Sequence, residues 1–435
     1  MARHRIPTGI LALSLAAAAA AAASGRSTAD AAIPARTEAE IRELDLAFYR
    51  QRVERDPHGA SDRMQLALRY LERARETGEP ADLGRAEALA RASLGIRRGR
   101  NGAAYAVLAS ALMAQHRFVE ALDAATRLLD LDSTSAAARA TVAEIELELG
   151  RYDDAGRNFG MLAGRRTDLA VAPRLARWEE LRDRPETARA LLRDGRERLR
   201  RTHGASRQQL AWYQLRLGDL ALRHGRLDEA AEELAAGLVI APDDYRLLAA
   251  RARLALARGD AAGALALGGR VLGRTLEPGT LGTMHDAALL QGDTTRAAEY
   301  ARALAAAASA QPGPLHRTWS TFLLDHGRDV EGTLHRLREE LRERRDVYGW
   351  DAYAWALYRA GRPREAAEAS VRALSLGTRD AGLRFHAGMI ARAIGDTAGA
   401  RRHLGAALEI NPFWHPSQPG EARAALDSLR GDTPR

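Results

Sequence analysis

The sequence predicts an all-α solenoid of about ten helix-turn-helix units with a capping helix at each end. Three observations predict it. Glycines recur at Gly225, Gly259, Gly292, Gly327, Gly361 and Gly395, at spacings of 34, 33, 35, 34 and 34. Small residues run in step with them at Ala121, Ala155, Ala188, Ala230, Ala264, Ala297, Gly332, Ala366 and Ala400, spaced 34, 33, 42, 34, 33, 35, 34 and 34. Ala, Leu, Arg and Glu, all good helix formers, dominate a chain that is 46% hydrophobic but only 5% aromatic, while Val, Ile and Thr are sparse. A single helical hairpin cannot bury its apolar faces alone, so the repetition is itself a packing argument.

Taken in order, residues 1–23 have the three parts of a secretory signal. Arg3, His4 and Arg5 form a basic start, 10–23 is apolar, and Ala21, Ala22 and Ala23 offer small residues for cleavage. That apolar run is shorter than the roughly 20 residues a bilayer-spanning helix needs. Export to a periplasmic or secreted location is therefore expected, with no transmembrane segment in the mature chain. Residues 24–36 read as a flexible lead-in containing Pro34. Residues 37–59 read as an N-terminal capping helix, opened by a capping box of Thr37 and Glu40.

Residues 60–202 hold units one to four, 203–210 an irregular joint, 211–412 units five to ten, and 413–435 a Pro-rich loop with a C-terminal capping helix. The units begin near Ala60, Gly102, Ala136, Leu169, Ala211, Tyr245, Pro278, Gly313, Val347 and Ala381. The fifth is the clearest: Leu217, Gly218 and Ala221 face Ala230, Leu234, Gly237 and Leu238 across the turn at Gly225, and Pro242 ends the unit. Four departures stand out. Seven extra residues at 78–84 (GEPADLG) predict a longer loop inside the first unit, and Pro185 falls in the fourth unit's turn. Residues 200–204 add a turn or loop before the fifth unit, and His285 and Ser320 occupy positions where a small packing residue is usual.

A helix-turn-helix repeat of this length resembles the tetratricopeptide repeat. The matching residues are Leu217, Gly218, Ala221, Ala230, Leu234, Gly237 and Pro242, then Ala387, Gly388, Ala391, Ala400, Leu404, Ala407 and Pro412. Trp350, Tyr353, Ala354, Leu357, Ala366, Ser370 and Ala373 fit as well, as do Leu108, Ala109, Leu112, Ala121, Ala125 and Leu128. The resemblance covers most of the chain after residue 60. It implies a right-handed superhelix whose concave surface, lined by the first helix of each unit, binds proteins or peptides.

Composition excludes several chemistries. There is no Cys, so disulfides, thiol catalysis and Cys-ligated metals are ruled out. There is no Lys either: all 65 Lys+Arg residues are Arg, which removes P-loop, Schiff-base and Ser–Lys mechanisms. With Arg3 and Arg5 assigned to the signal, the formal net charge of +8 falls to about +6, too little over such a length for a phosphate-binding surface. The runs at 196–201 and 336–345, and acidic pairs such as Glu179 and Glu180, read as solvated helix faces. His116 with Glu120 and His335 with Glu339 each offer two metal ligands without a third. No catalytic, cofactor or metal residues are therefore expected, and no nucleic-acid partner.

By the geometry the resemblance implies, the candidate partner-binding groove comprises Trp212, Asp219, Arg223, Tyr348, Trp355, Tyr358, Phe385 and Met389. Trp355 and Tyr358 are three apart and share a helix face; the competing reading is that these rings pack in the interior or against Phe413 and Trp414. The expected function is a non-enzymatic scaffold or adaptor outside the cytoplasm for an unidentified protein or peptide. The alternatives are an Arg-driven binder of anionic polymers or membrane surface, and a helical enzyme acting on envelope polymers.

Overall fold

The computed structural model describes residues 37–310 and 317–431. The expected signal segment (1–23), the lead-in (24–36) and the unit start near Gly313 lie outside the described residues. The chain divides after Ile41 into a short leading unit and a body beginning at Arg42. In the leading unit the Thr37 amide donates to Glu40 Oε2 (2.7 Å) and the Glu40 amide to Thr37 Oγ1 (3.2 Å), a reciprocal capping box that opens helix α1 (Glu38–Arg55).

Ten helical hairpins follow among the described residues. They are α2 (Ala60–Thr77) with α3 (Pro80–Ile96), α4 (Gly102–Ala114) with α5 (Phe118–Leu131), and α6 (Ala136–Glu148) with α7 (Tyr152–Met161). Next come α8 (Ala172–Leu181) with α9 (Pro185–Arg201), α10 (Arg207–Arg223) with α11 (Leu227–Ile240), and α12 (Tyr245–Ala257) with α13 (Ala261–Leu272). The last four are α14 (Pro278–Leu290) with α15 (Thr294–Ala310), α16 (Arg317–Asp325) with α17 (Val330–Glu340), α18 (Val347–Arg359) with α19 (Pro363–Ala373), and α20 (Ala381–Ala393) with α21 (Thr397–Ile410). Helix α22 (Gln418–Gly431) packs on α21 at the end. No strand occurs among the described residues, so the body is an all-α repeat solenoid.

The periodic glycines end the first helix of their units. At Gly225 the backbone has φ +70°, Gly225 N–H donates to Leu222 O (3.1 Å) and Arg226 N–H to Ala221 O (2.9 Å). This Schellman pattern satisfies the last carbonyls of α10 and needs a left-handed residue, which glycine adopts without a Cβ penalty. Across that turn Gly218 and Leu234 interlock: a Cβ on Gly218 would lie 2.7 Å from Leu234 Cδ2. Gly388 and Leu404 repeat the contact five units later, where the added Cβ would be 2.6 Å from Leu404 Cγ.

Insertions lengthen helices instead of loops. The expected longer loop at 78–84 is absent: only Gly78 and Glu79 separate α2 from α3, and the inserted residues run into helices of 18 and 17 residues. The Glu79 side chain accepts from the Ala81 amide (3.1 Å), and Pro80 supplies a preorganised first turn. Before the fifth unit the extra residues likewise extend α9 and α10 to 17 residues each. A ladder closes that joint. Arg189 and Arg193 of α9 reach Glu229 of α11 at 2.9 and 3.0 Å, and Arg196 reaches Glu233 at 2.8 Å. The run from 196 is thus not a purely solvated face.

Within the body, the superhelix winds tightly enough for successive turns to touch. Arg345 N–H donates to Leu149 O (3.2 Å) and Val347 N–H to the Tyr152 hydroxyl (2.7 Å). Thr378 Oγ1 donates to Leu181 O (2.7 Å), and Asn411 Nδ2 to Leu222 O (3.0 Å). The partners are 189 to 197 residues apart, so the hairpin turn of one unit meets a junction between later units five to six repeats on. Gly150 marks the closest approach. Its φ is +73°, and a Cβ there would collide with the Arg345 carbonyl.

Candidate partner-binding cavity

Between the touching turns lies a cavity of about 1060 Å³, walled on one side by α6, α8 and the turns of units two to five, and on the other by α16, α17 and the start of α18. Its rim is fixed by the acidic cap of α18. Asp346 accepts from the Tyr348 and Gly349 amides (3.1 and 3.3 Å) and is bound by Arg317 at 2.9 Å and Arg344 at 3.2 Å. Burial acts to raise this carboxyl, yet Arg317 and Arg344 outweigh it and hold the group below the usual range. Arg344 also reaches Glu148 of the adjoining turn (2.5 Å) and lies over the Phe118 ring, 4.7 Å from its centroid. One arginine therefore fastens both walls. The run at 336–345, expected to be solvated, places Arg336 and Arg344 on the cavity wall instead.

Deeper in, Glu180 is 7% exposed and faces three guanidinium groups: Arg223 at 2.7 Å, Arg177 at 3.1 Å and Arg216 at 4.0 Å. Burial alone would raise its pKa; the three cations reverse the sign and hold it at about 2. Tyr348 closes this cluster, its ring 5.4 Å from the Arg177 guanidinium, and burial pushes its hydroxyl up to about 12. Glu179 and Glu180, expected as solvated surface, are both buried. The turn that follows them is met by Thr378 of the next superhelical turn.

Of the eight residues expected to form a groove, the structure brings two to this cavity, Arg223 and Tyr348. Trp355 and Phe385 are interior, 3% and 0% exposed, and do not present a surface anchor. Trp355 stacks between Tyr358 and His386 (centroids 4.9 and 4.2 Å) and donates from Nε1 to Asp325 (3.1 Å). Phe385 meets Trp414 at 5.7 Å, which is the packing against the Pro-rich loop that competed with the groove reading. Tyr358 and Met389 are half-buried against the same cluster. Trp212 is half-buried edge-on to Tyr213 (5.2 Å), and Asp219 is paired with Arg253 (2.7 Å). Trp355 and Tyr358 do share a face, but α20 covers it.

Sequence reasoning missed Arg177, Tyr152, Arg317, Arg344 and Asp346. Only Asp346 carried a readable signal, as an acidic residue immediately before a predicted first helix. A second cavity, of about 710 Å³, lies under the 411–420 loop and shares Arg223 with the first.

A hairpin with a left-handed turn residue, a small-to-large interlock between its helices and a period near 34 residues decides the architecture. The fold is that of a tetratricopeptide-repeat array. No protein-family model matches the sequence, and no curated protein matches it. Among solved structures the array is similar to the Cut9-Hcn1 hetero-tetramer of the APC/C, with 13% identity and TM-score 0.35 over 90% of this chain and 93% of that one. It is also similar to a tetratricopeptide repeat protein from Parabacteroides merdae ATCC 43184, with 18% identity and TM-score 0.38 over 59% and 98%. A third is Naa15/Naa10 bound to HypK-THB, with 16% identity and TM-score 0.29 over 90% and 65%.

Proposed function

We propose that this array is a non-enzymatic interaction scaffold, working outside the cytoplasm, that holds a segment of a partner protein in the cavity between its superhelical turns. One observation carries the reading. Arg223, Arg317 and Arg336 converge on that cavity beside apolar wall from Phe118, Leu149 and Tyr348. An extended peptide supplies carbonyl and carboxylate acceptors for guanidinium groups and side chains for the apolar wall. Arginines and carboxylates are balanced there, five of each, which favours a peptide over a uniformly anionic polymer. The cavity carboxylates Glu148, Glu340 and Asp346 are committed to arginine pairs, which leaves them poorly suited to proton transfer. The placement outside the cytoplasm rests on residues 1–23 of the sequence.

The test uses two carboxylates on the cavity lining outside the arginine–carboxylate cluster that fixes its rim. Among the described residues Glu339 pairs with exposed Arg342, and Glu343 is exposed. Envelope or secreted fractions passed over the immobilised mature chain should yield a reproducible partner. Reversing both charges (Glu339→Arg with Glu343→Arg) should reduce its recovery roughly tenfold or more, through like-charge contacts or lost complementarity, at unchanged melting temperature. Equal recovery on the double variant, or no partner at all, would contradict the reading.

A further inference from the structure

The repeat leaves one cluster of ligand-type side chains unexplained. His285 and Asp286 lie mid-way along α14, and His326 immediately follows α16 in the neighbouring unit. One ligand atom from each lies within 4.8 Å of the others. The sequence placed His285 where a small packing residue is usual, and the structure buries it to 3% exposure. Its Nδ1 is 2.8 Å from the Ala297 carbonyl. A carbonyl only accepts, so Nδ1 carries the proton and Nε2 presents its lone pair, the arrangement a metal-ligating imidazole adopts.

The remaining geometry is close to a coordination sphere. Asp286 Oδ1 and His326 Nε2 are 3.2 Å apart. Adjacent ligands on a tetrahedral zinc, with bonds of roughly 2.0–2.1 Å, are separated by roughly 3.3 Å. The two imidazoles meet edge to face at 4.5 Å, and Phe322 touches both rings, at 4.9 and 4.5 Å, so neither ring turns freely. Asp286 also lines the cavity under the 411–420 loop, which gives a fourth position room for water or a ligand. An Asp286–His326 ion pair alone would account for two of these residues. It would not account for a buried third ligand whose tautomer is already fixed.

We propose that His285, Asp286 and His326 form a binding site for a divalent transition-metal ion, zinc by ligand type, with one coordination position open to the cavity under the 411–420 loop. Two imidazoles and a carboxylate select a borderline ion over Mg²⁺ or Ca²⁺, which take oxygen ligands. Because the ligands come from the first helix of one unit and from the residue that follows the first helix of the next, the ion also ties those units together.

The test uses the full chain after chelator treatment, titrated with Zn²⁺ by calorimetry and with Co²⁺ by visible absorption. One ion per chain is expected, with the intense d–d band of a four-coordinate Co²⁺ site and a raised melting temperature. Losing an outer-shell partner costs roughly 10–100-fold in metal affinity, so His285→Gln, Asp286→Asn and His326→Gln should each weaken binding by roughly 100-fold or more. His58→Ala, an exposed histidine on a distant turn, should change nothing. Absence of the d–d band, or Zn²⁺ binding that survives in the three variants, overturns the proposal. Should His285→Gln fail to fold, Asp286→Asn and His326→Gln, whose side chains are partly exposed, decide alone.

Discussion

At Glu180 burial and charge act in opposite directions, and the charges decide. Three arginines converge on one 7%-exposed carboxylate, so neutralising it leaves three half-buried cations facing one another without a counter-charge. Breaking a buried ion pair from one side costs about 3–5 kcal/mol, and Glu180→Gln should approach the lower figure in urea denaturation because the amide keeps shape and one acceptor. The same group sets an acid response. Its folded pKa of about 2 lies below the ordinary value of 4.5, so its contribution is fully present above that ordinary value and is lost as pH falls toward 2. Stability measured from pH 6 down to pH 2 should therefore fall more steeply for the wild type than for Glu180→Gln. Parallel curves would mean that the arginines do not depress this carboxyl.

Among elements, the joint between α9 and α11 is the place where repeat packing gives way to charge. Glu229 takes Arg189 and Arg193 together, and its side chain is 17% exposed. Glu229→Ala should lower amide-exchange protection around 203–210 and at the facing ends of α9 and α11, at a global cost of about 1–2 kcal/mol, more than an exposed pair and less than a fully buried one. Uniform loss of protection along the chain would instead mean that the joint unfolds with the whole array. What the sequence made legible belongs to this scale. Gly225 announced its turn because only a left-handed residue closes α10 that way, and Gly218 announced Leu234 because the interlock recurs with the period. Helix faces were less legible. Trp355 and Tyr358 had to share a stripe, but whether it faced solvent depended on α20, whose placement the repeat does not encode residue by residue. The seven-residue insertion misled for a related reason. Glu79 caps α3 and Pro80 preorganises its first turn, so the inserted residues start a helix instead of widening a loop.

For the whole molecule, the decisive contacts join residues about 195 apart, and no local pattern signals them. Tyr152, Thr378 and Asn411 look like ordinary loop and cap residues until the superhelix brings one turn onto the next. That contact encloses the cavity and turns a run of charged residues at 336–345 into a wall. An array whose turns stood apart would keep the same hairpins and lose the site. Because the chain has no Cys, spin labels can be placed at two chosen positions alone. Asp183→Cys and Arg379→Cys are exposed and flank the Thr378–Leu181 hydrogen bond, which holds their Cα atoms within roughly 20 Å. Double electron–electron resonance on the doubly labelled chain should give one short, narrow distance distribution if the turns touch; a long or broad distribution would show an open superhelix and contradict the enclosed cavity.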